Sequence, residues 1–326
     1  MTALTTCWAI SDGAAGNERQ VMALARALGL VPRVLQISLR QPWAALSPRL
    51  TLGAASSIRT RDGSTIAAPW PTLAIGCSRR AALLTRLLRD WSGGQTQTIQ
   101  ILDPRISSSH FDVVITPQHD VKSGNNVIRT IGALNPVDEE WLVAGRARFK
   151  HFANHASPRI GLLIGASTRA QRIDDDYCDG LLAYCRSLHA REGGSFLVTV
   201  SRRTPPSTTT RLRHAFALLP GLFWAGSEDG DNPYAGILGW SDRLIVTPDS
   251  VNMISEACAS GPPVWTYAPR PIVGKLARFH AELVGAGHLR VLGTNDSRPT
   301  TAPLRETGAV AELILELRRR EHGGNH

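Results

Sequence analysis

The sequence lacks several features by which functional classes are recognised. Its five cysteines are scattered singly, with no C-x-x-C pair, which argues against zinc or a disulfide framework and suits a reducing compartment. Aromatic residues make up only 6% of the chain, and no basic stretch is interleaved with them, so nucleic-acid binding is disfavoured. No apolar run approaches the roughly 20 residues of a membrane span, and the first residues lack the basic and apolar regions of a signal peptide. We therefore expect a cytoplasmic protein, with no metal and no cofactor.

The charge of the chain is one-sided. Its 326 residues include 36 Lys and Arg against 27 Asp and Glu, a formal net charge of +9, and only three of the basic residues are lysine. This balance predicts an anionic partner. A phosphorylated small molecule, or peripheral contact with an anionic membrane such as the cytoplasmic face of an inner membrane, fits isolated arginine pairs better than nucleic acid does.

Short apolar runs alternate with longer amphipathic ones along the chain. This pattern is typical of α/β proteins whose parallel sheets are covered by helices on both faces. The alternation restarts after residues 155–158, so we expect two Rossmann-like domains facing a cleft. The predicted bounds are residues 1–152 for the first domain, 159–304 for the second, and 305–326 for a last helix that crosses back to the first. Ligands of such sheets bind beyond the carboxyl ends of the strands.

The first candidate site, SDGAAGNERQ, follows the first predicted strand. Gly13 and Gly16 allow a ligand to approach the backbone, and Asp12 is a candidate catalytic group. Asn17 is predicted to cap the next helix, with Gln20 completing a capping box, and amides at this helix start can hold an anion. A plain turn with a cap is the alternative. The three-glycine spacing of dinucleotide-binding proteins is missing, which weakens a further interpretation of the chain as a nucleotide-sugar epimerase or other dinucleotide enzyme.

A second segment, GCSRRAA, follows the third predicted strand. Arg79 and Arg80 open a helix, where positive charge interacts poorly with the helix dipole. We therefore expect an anion beside them, with solvated surface arginines as the alternative. Cys77 is expected to be a packed thiol, because no partner base lies close to it in sequence.

A third segment, TPQHD, ends the strand FDVVIT. Its His119 and Asp120 are acid/base candidates at a strand end. Ordinary loop polarity is the alternative for both residues.

The second half opens with IGASTRAQRIDDD. Ser167, Thr168 and Arg169 are expected to bring amides, hydroxyls and a guanidinium group to phosphate oxygens. The three acids from Asp174 to Asp176 fit a helix start better than a metal site, because neighbouring side chains on a helix diverge.

Two further loops carry polar residues. VSRRTPPS places Arg202 and Arg203 after a strand and before a Pro-started helix. EDGDNPY places Asn232 as the predicted cap of the next helix, with Pro at its first position.

The segment TPDSVNMISEACASGPPVW is predicted to be a strand end, a helix and a second strand. Asp249, Ser250 and the first helical amides are expected to take a phosphate or a sugar hydroxyl. Asn252 and Glu256 lie one turn apart, and Glu256 is predicted to lie off the apolar face and to accept hydrogen bonds from a ribose diol. A capped helix with one exposed glutamate is the alternative.

Together these segments resemble the mitochondrial fission ELM family, which comprises plant proteins named for elongated mitochondria and numerous bacterial relatives. The resemblance covers nearly the whole chain and rests on SDGAAGNERQ, TPQHD, SRRTP, NPY with the downstream DRLIVTPDSVNMISEA, and SGPPV. In organisation the family is similar to GT-B glycosyltransferases, whose C-terminal domain binds a nucleotide-sugar donor and whose N-terminal domain binds the acceptor.

The resemblance implies a metal-independent glycosyltransferase acting on a membrane-associated or cell-envelope glycan or lipid. In that interpretation, Arg169, Arg202 and Arg203 stabilise the departing diphosphate. One of the three catalytic candidates activates the acceptor hydroxyl. The catalytic candidates are His119, Asp120 and Asp12. The donor-binding candidates are Ser167, Thr168, Arg169, Arg202, Arg203, Asn232, Asp249, Ser250, Asn252 and Glu256. The acceptor-binding candidates are Gly13, Gly16, Asn17, Arg79 and Arg80. The alternative is a non-catalytic adaptor that binds a protein partner at a membrane, as the plant branch is implicated in recruiting a dynamin-like fission protein.

Overall fold

The computed structural model describes residues 6–120, 123–294 and 301–323. The chain divides into two compact units, Met1–Pro136 with Glu306–His326, and Val137–Arg305. These bounds differ from the predicted ones, because the helix Glu139–Arg148 packs within the second unit. A Cβ added to Gly145 of this helix would lie 2.6 Å from the carbonyl oxygen of Ala235, so the two backbones touch.

Within its described residues, the first unit contains a seven-stranded sheet and four α-helices. Its strands are β1 (Cys7–Ser11), β2 (Arg33–Leu39), β3 (Ile58–Thr60), β4 (Leu73–Cys77), β5 (Gln97–Ile101), β6 (Val113–Pro117) and β7 (Val127–Thr130). Its helices are α1 (Ala15–Ala27), α2 (Trp43–Leu46), α3 (Arg79–Trp91) and α10 (Glu306–Gly323). The strand order is β3-β2-β1-β4-β5-β6-β7, and all pairs are parallel except β2 with β3.

Helices cover both faces of this sheet because their apolar residues recur at helical spacing. On one face, Val21 and Leu24 of α1 pack in the same core cluster as Val310 and Ile314 of α10. On the other face, leucines of α3 pack over β1 and β2. Helix α10 is held by Glu306, whose carboxylate accepts hydrogen bonds from the Ile131 and Gly132 amides at 2.8 Å each.

The second unit contains a six-stranded, fully parallel sheet. Its strands are β8 (Arg159–Ile164), β9 (Ser195–Val200), β10 (Gly221–Trp224), β11 (Arg243–Val246), β12 (Val264–Thr266) and β13 (Arg290–Val291). Its helices are α4 (Glu139–Arg148), α5 (Asp175–Glu192), α6 (Pro206–Phe216), α7 (Tyr234–Trp240), α8 (Val251–Ser260) and α9 (Gly274–Gly285). The strand order is β10-β9-β8-β11-β12-β13.

The predicted fold class, α/β with two Rossmann-like domains, is confirmed by these two parallel sheets. Predicted elements match the observed ones within a few residues, whereas β3, β7 and the short α2 were not predicted. No helix within the described parts of the chain is long and apolar enough to cross a membrane.

Candidate functional site

Each sheet has one point where the strand order changes direction. In the first unit it lies between β1 and β4, and in the second between β8 and β11. Loops that leave such neighbouring strands diverge and open a crevice in which α/β proteins bind ligands. SDGAAGN and GCSRR leave β1 and β4, and IGASTR and TPDSVN leave β8 and β11. The structure therefore brings four predicted segments together as two pairs, one in each unit.

In the second unit a buried carboxylate joins the two loops. Asp249 accepts hydrogen bonds from the Ala166 amide at 3.1 Å and from the Thr247 hydroxyl at 2.6 Å. The same hydroxyl accepts from the Gly165 amide at 2.7 Å. A Cβ on Gly165 would lie 2.1 Å from Oδ1 of Asp249, so only glycine fits there. The crevice thus has a rigid base.

The surroundings of Asp249 correct its expected role. Its side chain is 0% exposed, so the carboxylate does not face a ligand in this conformation. Burial raises the pKa of Asp249, while the hydrogen bonds from Thr247 and Ala166 act in the opposite direction. Nη2 of Arg203 lies 3.9 Å from Oδ2, and the Arg203 side chain is 64% exposed. In this conformation Asp249 is therefore placed to orient a cation and two loops, and its contact with a phosphate or sugar stays a prediction.

The loop after β8 uses its hydroxyls to hold its own shape. Ser167 Oγ accepts from the Ile173 amide at 2.9 Å, and Thr168 Oγ1 accepts from the Gln171 amide at 3.1 Å. Both hydroxyls therefore stabilise the loop, and their predicted contacts with phosphate stay a prediction. Arg169, which directly follows Thr168, is exposed.

The turn after β9 is anchored to the same crevice. Thr204 donates to the Gly165 carbonyl at 3.0 Å, and the Arg203 amide donates to Ser201 Oγ at 3.2 Å. Arg202 and Arg203 are both exposed on this turn. The two predicted guanidinium groups are thus carried by a fixed backbone beside the end of β8.

Helix α8 begins at the crevice as the sequence predicts. Ser250 is its N-cap, with Oγ accepting from the Met253 amide at 3.4 Å. Asn252 is half-buried in the first turn. The positive end of the helix dipole therefore lies next to Asp249 and the exposed Arg203 that approaches it.

The environment of Glu256 differs from the predicted one. Glu256 is 1% exposed, although it was expected off the apolar face. Its Oε2 accepts a hydrogen bond from the Tyr234 hydroxyl at 2.5 Å. Helix α7 begins at Tyr234 with Pro233 as its N-cap, so the predicted cap Asn232 lies one residue earlier, where its side chain accepts from the Tyr234 amide at 3.0 Å. Tyr234 covers the carboxylate that was expected to meet ribose.

Two other residues of this crevice were missed by the sequence analysis. His280 of α9 is buried, and its Nε2 lies 2.9 Å from the Pro248 carbonyl oxygen. Burial lowers the pKa of His280. Because a carbonyl oxygen can only accept, Nε2 is the donor of this bond, which supports the turn that precedes α8. Thr247 was missed because its hydroxyl acts through two loops distant in sequence. Tyr234 was also absent from the predicted site residues, although it lies in the NPY motif that the sequence analysis singled out.

In the first unit, Asp12 holds its own turn. Its Oδ1 accepts from the Asn17 side chain at 2.9 Å and from the Ala14 amide at 3.3 Å. Gly13 has φ +80°, which requires glycine in this turn. Asp12 is partly exposed at the end of β1, which keeps it a candidate for contact with an acceptor.

The predicted capping box at α1 is wrong. The helix starts at Ala15, before Asn17, and its N-cap Ala14 makes no side-chain cap. Asn17 therefore lies within the helix, as does Gly16, and Gln20 is buried. The Asn17 side-chain amide donates to Asp12, so its expected role as the helix cap is replaced by a role in the turn, and its contact with an acceptor stays a prediction.

Arg79 also differs from expectation. Its guanidinium group donates to the carbonyls of Ala45 and Ser47, each at 2.9 Å, so it supports a neighbouring loop. Arg80 is exposed. Cys77 is fully buried, and burial raises the pKa of its thiol.

His119 and Asp120 follow β6, away from the switch point. His119 is 8% exposed and Asp120 is partly exposed. Strands β4 and β5 separate β6 from β1, a distance of roughly 14 Å at the usual strand spacing. The structure therefore does not bring these two residues to Asp12.

The acidic run at the start of α5 is held by arginine. Asp174 caps the helix by accepting from the Tyr177 amide at 3.1 Å. The Arg270 guanidinium lies 2.7 Å from Oδ2 of Asp174. This contact, together with the hydrogen bond from the Tyr177 amide, lowers the pKa of Asp174 to about 2. Among the residues that the structure describes, no group of three or more His, Cys, Asp or Glu side chains is arranged to hold a metal ion.

Comparison with solved structures identifies the fold. A putative UDP-N-acetylglucosamine 2-epimerase from Listeria monocytogenes has a TM-score of 0.59 and 13% identity, covering 99% of this chain and 98% of that one. The UDP-GlcNAc 2-epimerase from Neisseria meningitidis bound to UDP-GlcNAc has a TM-score of 0.53 and 13% identity, covering 97% and 99%. At such identities the likeness shows the fold alone, the GT-B fold shared by glycosyltransferases and epimerases.

Sequence relatives identify the family. The profile described as mitochondrial fission ELM1 matches residues 15–317. Mitochondrial fission protein ELM1 of Arabidopsis thaliana is 28% identical over 280 residues, 75% of this chain and 63% of the plant protein. The uncharacterized protein RP120 of Rickettsia prowazekii (strain Madrid E) is 25% identical over 351 aligned positions, 94% of this chain and 97% of that protein. The chain belongs to the mitochondrial fission ELM1 family.

Proposed function

We propose that this protein binds a nucleotide sugar in the second unit and transfers the sugar to a membrane-associated or cell-envelope glycan or lipid. The observation that carries the proposal is the crevice between the ends of β8 and β11. There the hydrogen bonds of Asp249 hold two loops together, and the largely exposed Arg203 side chain lies beside the start of α8. A rigid backbone, a helix N-terminus and guanidinium groups together suit a diphosphate.

Three exposed arginines of this crevice are assigned to the diphosphate. Arg169 follows β8, and Arg202 and Arg203 follow β9. A guanidinium group binds phosphate oxygens with two parallel hydrogen bonds and keeps its charge at all working pH values. Charge that develops on the leaving diphosphate is then stabilised by the protein itself. We expect transfer activity to persist after treatment with EDTA.

Glu256 is assigned to the ribose, with Tyr234 as the group that the ligand replaces. The Tyr234 hydroxyl now donates to the Glu256 carboxylate. A ribose diol offers the same kind of donor, so ribose can take this place if the tyrosine ring turns away. A buried carboxylate needs such a donor in either state, because an unpaired buried charge is strongly unfavourable.

In the first unit, Asp12 is assigned as the base that takes the acceptor proton. It lies at the switch point, is partly exposed, and has one oxygen engaged in its own turn. A carboxylate at a strand end can approach a hydroxyl within hydrogen-bond distance. His119 and Asp120 remain the alternatives at the end of β6.

UDP and UDP-GlcNAc are the first ligands to test, because the Neisseria structure of the same fold contains UDP-GlcNAc. A ligand that binds the native state raises the melting temperature by mass action. We expect both compounds to raise it, and free N-acetylglucosamine to leave it unchanged. Product analysis with a lipid or glycan acceptor then distinguishes transfer from epimerisation, which converts the donor without an acceptor.

Two conservative variants locate the ribose contact. Tyr234→Phe removes the competing hydroxyl and should tighten UDP binding by about five-fold, the worth of one hydrogen bond. Glu256→Gln should weaken it by roughly ten-fold. Isothermal titration measures both, with melting curves as the check on folding. Unchanged affinity in both variants would remove Glu256 from the ligand site.

The second candidate function is a non-catalytic adaptor, which family membership favours because the Arabidopsis relative is named a mitochondrial fission protein. An adaptor needs no nucleotide in its crevice. The absence of a melting shift across a panel of nucleoside diphosphates and nucleotide sugars would place the adaptor first.

A further inference from the structure

The excess positive charge lies in one part of the chain. From the start of α1 to the end of α3, residues 15–91 carry eleven arginines, no lysine and three acids: Glu18, Asp62 and Asp90. The rest of the chain holds 25 basic and 24 acidic residues and is nearly neutral. The net charge of +9 therefore comes almost wholly from this segment of the first unit.

The loop between β2 and β3, residues 40–57, has no acidic residue and is held in place by arginines of α3. Arg79 donates to the Ser47 carbonyl at 2.9 Å, and Arg86 donates to the Pro48 carbonyl at 3.2 Å. Both guanidinium groups thus meet neutral oxygens of the loop backbone. They fix the shape of the 40–57 loop without cancelling its positive surroundings.

The outer side of the 40–57 loop carries apolar side chains. Leu52 is 85% exposed and Leu46 is 49% exposed. Trp43 lies beside Leu52, since its indole N–H donates to the Leu52 carbonyl at 2.9 Å. Leu46 is three residues after Trp43 on α2 and so lies on the same side of that helical turn. The loop therefore presents two leucines to solvent, and Trp43, which packs partly buried against the core of the first unit, supports the loop from below.

Exposed arginines flank these apolar side chains. Arg40 begins the 40–57 loop, Arg49 lies within it, and Arg59 follows it on β3; all three are exposed. Arg49 donates to the Arg105 carbonyl at 2.9 Å, and Arg59 donates to the carbonyl of Ser56 at 3.0 Å. Within the described ranges, none of the three forms an ion pair with a carboxylate.

We propose that the 40–57 loop docks this protein on an anionic phospholipid surface. Leu46 and Leu52 enter the boundary between headgroups and acyl chains, and the flanking arginines meet lipid phosphates. A cationic surface with a small apolar tip gives reversible, salt-sensitive attachment. The inference goes beyond the proposed function, since it needs no bound nucleotide.

Flotation with lipid vesicles tests the proposal directly. The full-length protein should float with vesicles of phosphatidylcholine mixed with phosphatidylglycerol, remain unbound with phosphatidylcholine alone, and dissociate as salt is raised. Arg40→Gln combined with Arg49→Gln should weaken attachment about 30-fold, at about 1 kcal/mol for each basic residue near the surface. Arg40→Gln alone should weaken it about five-fold by the same measure and disturbs no loop bond.

Matched variants in the second unit serve as controls. Arg186→Gln with Arg278→Gln removes the same charge from two exposed positions and should leave attachment unchanged. Leu52→Ser should weaken attachment about ten-fold through lost apolar burial. Leu218→Ser, at a position 77% exposed, should have no effect.

Three results would overturn the proposal. One is equal flotation with neutral and anionic vesicles, and another is equal loss in the second-unit control variants. The third is binding to single-stranded RNA with none to anionic vesicles, which would make nucleic acid the partner. Because the vesicle assay contains no nucleotide, its failure would not affect the nucleotide-sugar proposal. Failure of the nucleotide-binding experiments would likewise not affect the membrane-docking proposal.

Discussion

Each unit has an aspartate at its switch point, and the two are used in opposite ways. Asp12 is partly exposed, and its bonds stay within the turn that follows β1. Asp249 is fully buried and joins the loops that follow β8 and β11. The difference teaches that a strand-end carboxylate acts according to its surroundings. Asp12 is partly exposed at the end of its strand, whereas Asp249 is buried where it holds two loops and lies beside Arg203.

The arginines near these aspartates differ in the same way. Arg79 in the first unit has its guanidinium hydrogen-bonded to the carbonyls of Ala45 and Ser47. Arg203 in the second unit lies 3.9 Å from the buried Asp249 with its head largely exposed. A cation bonded to its own loop supports structure, whereas an anchored but exposed cation is available to an anion.

The largest expected effect concerns Asp12. If Asp12 is the base, Asp12→Asn should lower kcat by roughly 10²- to 10⁴-fold and leave KM nearly unchanged. Asparagine keeps an oxygen for Asn17 and Ala14, so the turn persists. Asp62→Asn is the control, because Asp62 holds a similar turn by accepting from the Ser64 amide at 3.1 Å. Full activity in Asp12→Asn, with loss in a His119 variant, would move the base to the end of β6.

The next effect concerns the packing at Gly165. Gly165→Ala places a methyl group onto the buried carboxylate of Asp249 and should lower the free energy of unfolding by about 3 kcal/mol. Gly226→Ala is the matched control, because a Cβ there would meet no atom within 4 Å. Urea denaturation measures both variants. Equal stability of the two would show that Asp249 does not brace the crevice.

A smaller effect is expected from Arg203. Arg203→Ala should weaken UDP binding by about ten-fold while sparing uridine, because the guanidinium meets the diphosphate. Arg148→Ala is the control, since Arg148 is likewise 64% exposed and pairs with Asp231 at 2.8 Å. Isothermal titration with UDP and uridine separates the two ligands. Equal loss for both ligands would mean that Arg203 acts on the fold of the crevice.

The smallest expected effect concerns the contribution of Asp249 to the pH dependence of the free energy of unfolding. Because its pKa is raised above the ordinary value of 3.8, the folded state keeps this proton over a pH range in which the unfolded chain has lost it. That contribution to stability is present below pH 3.8 and is lost as the pH rises through the folded pKa. Stability of the wild type relative to Asp249→Asn should therefore fall as the pH is raised from about 4 toward neutrality. A difference that is constant or grows with pH would contradict the role of burial.

Much of the fold could be predicted from local patterns. Val21 and Leu24 repeat at helical spacing, and the strands of the second unit are near-continuous apolar runs, so element order and fold class follow. The start of α1 could not be predicted, because Asn17 and Gln20 imitate a capping box while Asn17 bonds to Asp12 instead. The boundary between the units was misplaced because the packing of α4 on α7 has no local signal.

The loops that form the candidate site were predicted from the sequence, whereas the side-chain contacts within the site were not. Switch-point segments are recognisable because strand ends precede small and polar residues. Burial of Asp249, cover of Glu256 by Tyr234 and support from His280 each depend on residues far apart in the chain. A sequence pattern places a residue on an element, whereas its partners are set by tertiary packing.

Hydrogen–deuterium exchange with and without saturating UDP-GlcNAc tests the central claim most directly. If the second-unit crevice holds the nucleotide sugar, amides of residues 165–169 and 250–254 should exchange more slowly when ligand is present. Amides of residues 12–17 should be unchanged without an acceptor. Protection confined to residues 12–17, or no protection anywhere at a ligand concentration that raises the melting temperature, would contradict the assignment of the donor site to the second unit.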